Sequence, residues 1–100
     1  MGDATYSFTS ELWEWQGKAS WFFLSVPDDV TDEIDERFSA NAAGFGSIKV
    51  EVTVGGTTWR TSIFPDTKRG CFILPVKKAV RVAEDLDDGT PADVNLRVLV

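Results

Sequence analysis

A chain of 100 residues, 43% hydrophobic and 12% aromatic, is the size of one domain with one modest core, which excludes a disordered region. It has no histidine and a single cysteine, Cys71. This removes the usual neutral-pH proton shuttle, the Ser-His and Cys-His nucleophile pairs, the commonest zinc ligand and any internal disulfide. The net charge of −6 disfavours long-range attraction to nucleic acid.

Residues Tyr6–Trp15 predict a strand with Tyr6, Phe8 and Leu12 on one parity and Trp13 and Trp15 on the other. The change near Leu12 predicts a bulge, or a strand that passes from one layer to another. Gly17-Lys18 is expected to turn into Trp21–Val26, apolar on both parities and so central, making an early hairpin. Pro27-Asp28-Asp29 opens a short helix whose Val30, Ile34 and Phe38 share a face. Its first turns are rich in acid, as exposed helix amides favour.

Asn41–Gly46 reads as a loop. Ile48–Val54 alternates cleanly, with Ile48, Val50, Val52 and Val54 inward, and Gly55-Gly56 is a hairpin turn into Thr57–Phe64. Residues 65–70 form another turn before the short strand Cys71–Leu74. Pro75 is expected to start a helix running to about Leu86, on which Arg81 and Asp85 can pair. Ala92–Val100 is the last strand. The expectation is one domain over residues 1–100, mainly all-β: a small six-stranded closed or nearly closed β-barrel with two short helices, which leaves no exposed sheet edge.

Several motifs together resemble the small bacterial family DUF1905 over nearly the whole chain. They are Phe8 with Glu11-Leu12-Trp13 and Trp15; Trp21; Val26-Pro27; Gly44-Phe45-Gly46-Ser47; Trp59 with Thr61-Ser62 and Phe64-Pro65; and Leu74-Pro75-Val76-Lys77-Lys78 with Arg81. The resemblance implies a six-stranded barrel with helical insertions, in a family with no established activity. Residues 73–98 more loosely resemble the strand–helix–Gly–strand pattern of swapped-hairpin transcription factors and antitoxins.

Charge offers the clearest functional signal. Between Arg60 and Arg81 lie six of the ten basic residues against one acid, Asp66. Lys68, Arg69, Lys77, Lys78 and Arg81 are therefore the candidate anion- or partner-binding residues, with Arg60 beside them and Thr61 and Ser62 as hydroxyl donors. The helix start near Pro75–Lys77 is the expected anion seat. The alternatives are that acids of the first helix cover this surface, or that the bases face solvent.

Trp13, Trp15, Trp21 and Trp59 are read as barrel packing or as the lining of a pocket or interface. Base stacking by these rings would require them to stand beside the basic residues. Gly44–Ser47 has the wrong spacing for a phosphate loop; it is expected to let the chain turn tightly, with Phe45 capping the core. Cys71 is expected to be a structural thiol despite the nearby positive charge. Glu11, Glu14 and Asp66 form no acid/base or metal spacing, and no catalytic residue, metal site or cofactor is assigned.

These readings favour a small cytoplasmic binding or interaction domain over an enzyme. Its expected partner is a small anionic ligand or an acidic protein surface, with no membrane association. A nucleic-acid-binding or regulator-like module and an enzyme with an aromatic-lined pocket are the alternatives. Oligomeric state is left open.

Overall fold

The computed structural model describes residues 4–17 and 20–99. Lys18 of the expected first turn and Val100 of the expected last strand lie outside them. Six antiparallel strands close into a barrel: β1 (Thr5–Glu14), β2 (Phe22–Ser25), β3 (Ile48–Val54), β4 (Thr57–Asp66), β5 (Cys71–Pro75) and β6 (Pro91–Val98). Their order around the wall is β1-β2-β5-β4-β3-β6, returning to β1. The main helix is α1 (Asp28–Phe38), and a second, α2 (Lys78–Ala83), follows β5.

Alternation in the sequence becomes the two faces of the wall. β6 is buried at Ala92, Val94, Leu96 and Val98, and β3 at Ile48, Val50, Val52 and Val54. With Leu12, Leu24, Ile63 and Leu74, all at 1% exposure or less, they fill the interior. Each of these valine, leucine and isoleucine side chains contributes about 1.5–3 kcal/mol when fully removed from water.

β1 joins the two halves of the wall. Thr5–Glu11 pair with β6, and Leu12–Glu14 pair with β2. The change expected near Leu12 is therefore a change of partner. Parity is kept through it, so Leu12 stays inside while Trp13 faces out opposite Phe23.

α1 turns Ile34 and Phe38 into the core, and Val30 packs against it. Buried Thr31 fixes the helix to the wall: its Oγ1 donates to the Val26 carbonyl at 3.1 Å and accepts from the Phe72 amide at 3.2 Å. The Gly55-Gly56 turn joins β3 to β4 with Val54 opposite Thr57. Gly55 has φ +57°, which favours glycine, and a Cβ there would lie 2.0 Å from Glu84 Oε1, so that any side chain would displace the Glu84 carboxylate.

Three local expectations need correction. Phe45 does not cap the core; it is 96% exposed, at φ 62°. The left-handed backbone turns the ring outward, and it is Gly46 that stands against Pro65. Pro75 does not begin a helix but ends β5, and α2 spans six residues from Lys78. α2 stops early because Asp85 adopts φ 54° and the Leu86 amide bonds back to the Arg81 carbonyl at 2.8 Å, a Schellman-type end. Asp85 is thus outside the helix, and the expected Arg81–Asp85 pair is not among the ion pairs of the described residues. β5 and β6, the strands of the looser swapped-hairpin likeness, are not neighbours in the wall.

Candidate functional site

The wall is incomplete between β4 and β5. Those strands pair only at Phe64–Asp66 with Cys71–Ile73. The cause lies in the direction of the backbone groups. Phe72 accepts from Val26, and the Val76 amide donates to Phe22 at 2.9 Å, so the even-numbered residues of β5 bond toward β2. Odd-numbered residues then face β4. The next odd residue is Pro75, which has no N–H to give to Ser62 across the ladder. Pairing stops there and the strands part.

The gap is a cleft of about 490 Å³, within the range of small-ligand pockets. Trp59, Arg60 and Thr61 of β4 form one side of it. Val76, Lys77, Lys78 and Arg81 form the other, with Trp21 and Phe22 beside them. Inward-facing Phe22, Trp59 and Val76 make an apolar floor, and the cations stand on the rim.

Arg81 is held firmly. Its guanidinium lies 4.0 Å from the Phe22 ring centroid, and its Nε donates to the Val76 carbonyl at 3.2 Å. Lys77 and Lys78 are exposed. Among the described residues no carboxylate pairs with Lys77, Lys78 or Arg81. The acids of α1 do not cover them. Arg60 is partly neutralised, since its Nε lies 3.3 Å from Glu51. Arg97 on the other side of Glu51, 2.9 Å away, and then Arg60 hold that carboxyl below its ordinary range.

The candidate basic residues therefore divide into two groups. Lys77, Lys78 and Arg81 come together at the cleft; Lys68 and Arg69 do not join them. The latter sit in the turn before β5, and that strand of five residues separates the groups by roughly 15 Å at about 3.3 Å per residue. Arg69 is already engaged, 3.6 Å from Asp66 and 3.7 Å above the Trp13 ring. Asp66 accepts the Lys68 and Arg69 amides and so caps this turn. A six-residue α2 has too short a dipole to serve as the expected anion seat.

The four tryptophans have separate duties. Trp59 is 7% exposed and belongs to the core. Trp13 lies 5.1 Å from Phe23, and its Nε1 donates to Ser25 Oγ. Trp15 and Trp21, at 47% and 51% exposure, border an outer groove with Phe23, Phe64 and Ile73. Trp21 and Pro75 belong to both groove and cleft.

Cys71 lies outside the cleft and is 9% exposed. Burial, with Asp28 and Asp66 adding to it, pushes its thiol up against the opposing pull of Ser25 and Arg69. A thiol held protonated at neutral pH is a poor nucleophile. Glu11 is exposed, and the backbone amide of Glu14 is bound by Asp88 at 3.0 Å.

Sequence reading found the cations and Trp21 but missed Phe22 and the part played by Pro75. A proline on the β4-facing parity of a strand was the available signal for a broken ladder.

A small closed barrel with a cleft in its wall is the architecture of this chain. It belongs to the DUF1905 family, a domain of unknown function, whose family model matches residues 8–96. No curated protein matches the chain. No helix among the described residues is long and apolar enough to cross a membrane.

Proposed function

We propose that this protein is a small binding module that takes an anionic ligand in the cleft between β4 and α2. One observation carries the reading: Lys77, Lys78 and Arg81 converge on a single apolar-floored opening without a carboxylate partner among the described residues. Like charges gathered this way repel one another, and an anion placed between them relieves the repulsion. Arg81 supplies an oriented planar donor, because stacking on Phe22 fixes its guanidinium before any ligand arrives. The Thr61 hydroxyl and the Trp21 ring add a polar contact and a flat apolar one. Lys68 and Arg69 take no part in this site.

The test is titration of the purified protein with inorganic phosphate, citrate and an acidic peptide, followed by amide NMR shifts. Shifts are expected around Thr61, Val76 and Arg81, and the double variant Lys77→Glu, Arg81→Glu should lose them while staying folded. Unchanged binding by that variant overturns the reading.

A nucleic-acid reading draws support from Trp21, an exposed ring beside Lys77 and Lys78. It requires retention of a short single-stranded probe that falls steeply with added salt. No retention at low ionic strength removes it. The enzyme reading would rest on Cys71, which lies outside this cleft and whose thiol burial pushes up.

A further inference from the structure

The break in the wall leaves more than a space. Val54 and Thr57 close a two-residue hairpin turn and form a hydrogen-bonded pair, so Thr57, Trp59, Thr61 and Ile63 bond toward β3. Thr58, Arg60 and Ser62 therefore direct their N–H and C=O groups the other way, across the opening. Ser62 faces Pro75, which has no hydrogen to offer its carbonyl. Arg60 lies beyond the end of the ladder, opposite the segment that leads into α2, and its amide and carbonyl have no backbone partner there among the described residues. A closed barrel normally has no free edge. This one keeps a short edge on β4, set inside the cationic cleft.

We propose that the occupant of the cleft is an extended acidic peptide segment that adds to β4 as a short extra strand. The inference rests on the anion-binding reading above and names its ligand class. A compact anion can use the cations but leaves the Arg60 carbonyl without a donor. An extended peptide brings both a donor and an acceptor at strand spacing.

Side-chain alternation then specifies the segment. A strand paired with β4 points alternate residues to the floor at Trp59 and to the rim at Arg60, Lys77 and Lys78. The matching sequence alternates apolar and acidic residues. The residue opposite Arg60 is one of the acidic ones, since cross-strand partners share a face.

The test uses an acetylated, amidated peptide of alternating glutamate and valine, seven residues long, against the full chain. Two variants of the peptide carry one backbone N-methyl group each. Methylation at the central glutamate removes the donor to the Arg60 carbonyl and blocks pairing. Methylation at a neighbouring valine falls on an amide that faces away from β4. The first should weaken binding about tenfold or more, as loss of a hydrogen bond together with a steric clash implies, and the second by about twofold at most.

Equal effects of the two methyl groups overturn the peptide proposal. So does binding of citrate or phosphate in the cleft with no binding of the peptide, which would leave the anion site standing. Binding of no anion at all overturns both. Solution NMR should also show the Arg60 amide protected from exchange only with the unmethylated or valine-methylated peptide bound; its exchange unchanged in every complex overturns the pairing.

Discussion

The guanidinium of Arg81 rests 4.0 Å above the ring of Phe22, joining the last turn of α2 to the start of β2. The contact serves the fold and the cleft at once, because it seals one end of the apolar floor and presents a fixed positive charge above it. Arg81→Lys keeps the charge but loses the planar stack and the bond to the Val76 carbonyl. The expected cost is about 1 kcal/mol of stability, read from urea midpoints, together with weaker citrate or peptide binding. Full retention of both would mean that the stack is incidental.

Pro75→Val tests the origin of the opening. Valine supplies the missing N–H, so β5 can pair with Ser62 and the ladder can lengthen. A new hydrogen bond contributes about 0.5–1.5 kcal/mol, opposed by about 0.4–1 kcal/mol from the greater freedom of the unfolded chain. Net stability should change little. The amide introduced at position 75 should resist hydrogen exchange, and anion binding should fall as the cleft narrows. Rapid exchange of that amide would place the cause of the gap elsewhere.

The two glycines of the β3–β4 turn should respond differently. At Gly55 any Cβ meets both a positive φ and the Glu84 carboxylate, whose Oε2 accepts from Thr57 Oγ1 at 2.6 Å. Gly55→Ala should cost about 1–3 kcal/mol. Gly56 has open space around it, and Gly56→Ala should stay within about 0.5 kcal/mol. Chemical denaturation of the pair decides this, and equal losses would contradict it.

Alkaline pH should weaken the protein. Burial raises the Cys71 thiol above its ordinary 9.0, and burial with the Glu33 hydrogen bond raises the Tyr6 phenol above 10.0 despite the opposing effect of Arg37. Both groups ionise more easily in the unfolded chain. Their contribution is therefore complete below the ordinary values and is lost as pH rises through the folded ones. Urea midpoints should hold between pH 7 and 8 and fall from about pH 9. Cys71→Ala should flatten the first part of that fall; an identical profile in the variant would remove Cys71 as its source.

The barrel was legible because its signals are local and repeated. β3 and β6 show strict alternation, and Gly55-Gly56 specifies the hairpin between the former and β4. α1 was equally clear, since Ile34 and Phe38 lie one turn apart and both are buried. The cleft was harder to read. Charge density along the chain counted Lys68 and Arg69 with Lys77 and Arg81, yet a strand laid out straight carries neighbours in sequence to opposite ends. Phe22 escaped notice because its importance comes from Arg81, 59 positions away in the sequence. The ring of Pro75 suits a helix start, whereas the ladder on both sides of β5 decides which of its backbone groups is missed.

Pro75 separates two things that most binding sites tie together. The opening begins where Pro75 has no backbone hydrogen to give, and the character of the rim follows from Arg60, Lys77, Lys78 and Arg81. Replacing the exposed Lys77 and Lys78 would leave the parted strands where they are. The same scaffold can thus be recoloured for a neutral or cationic guest by surface substitutions alone, which makes it a practical starting point for engineered recognition.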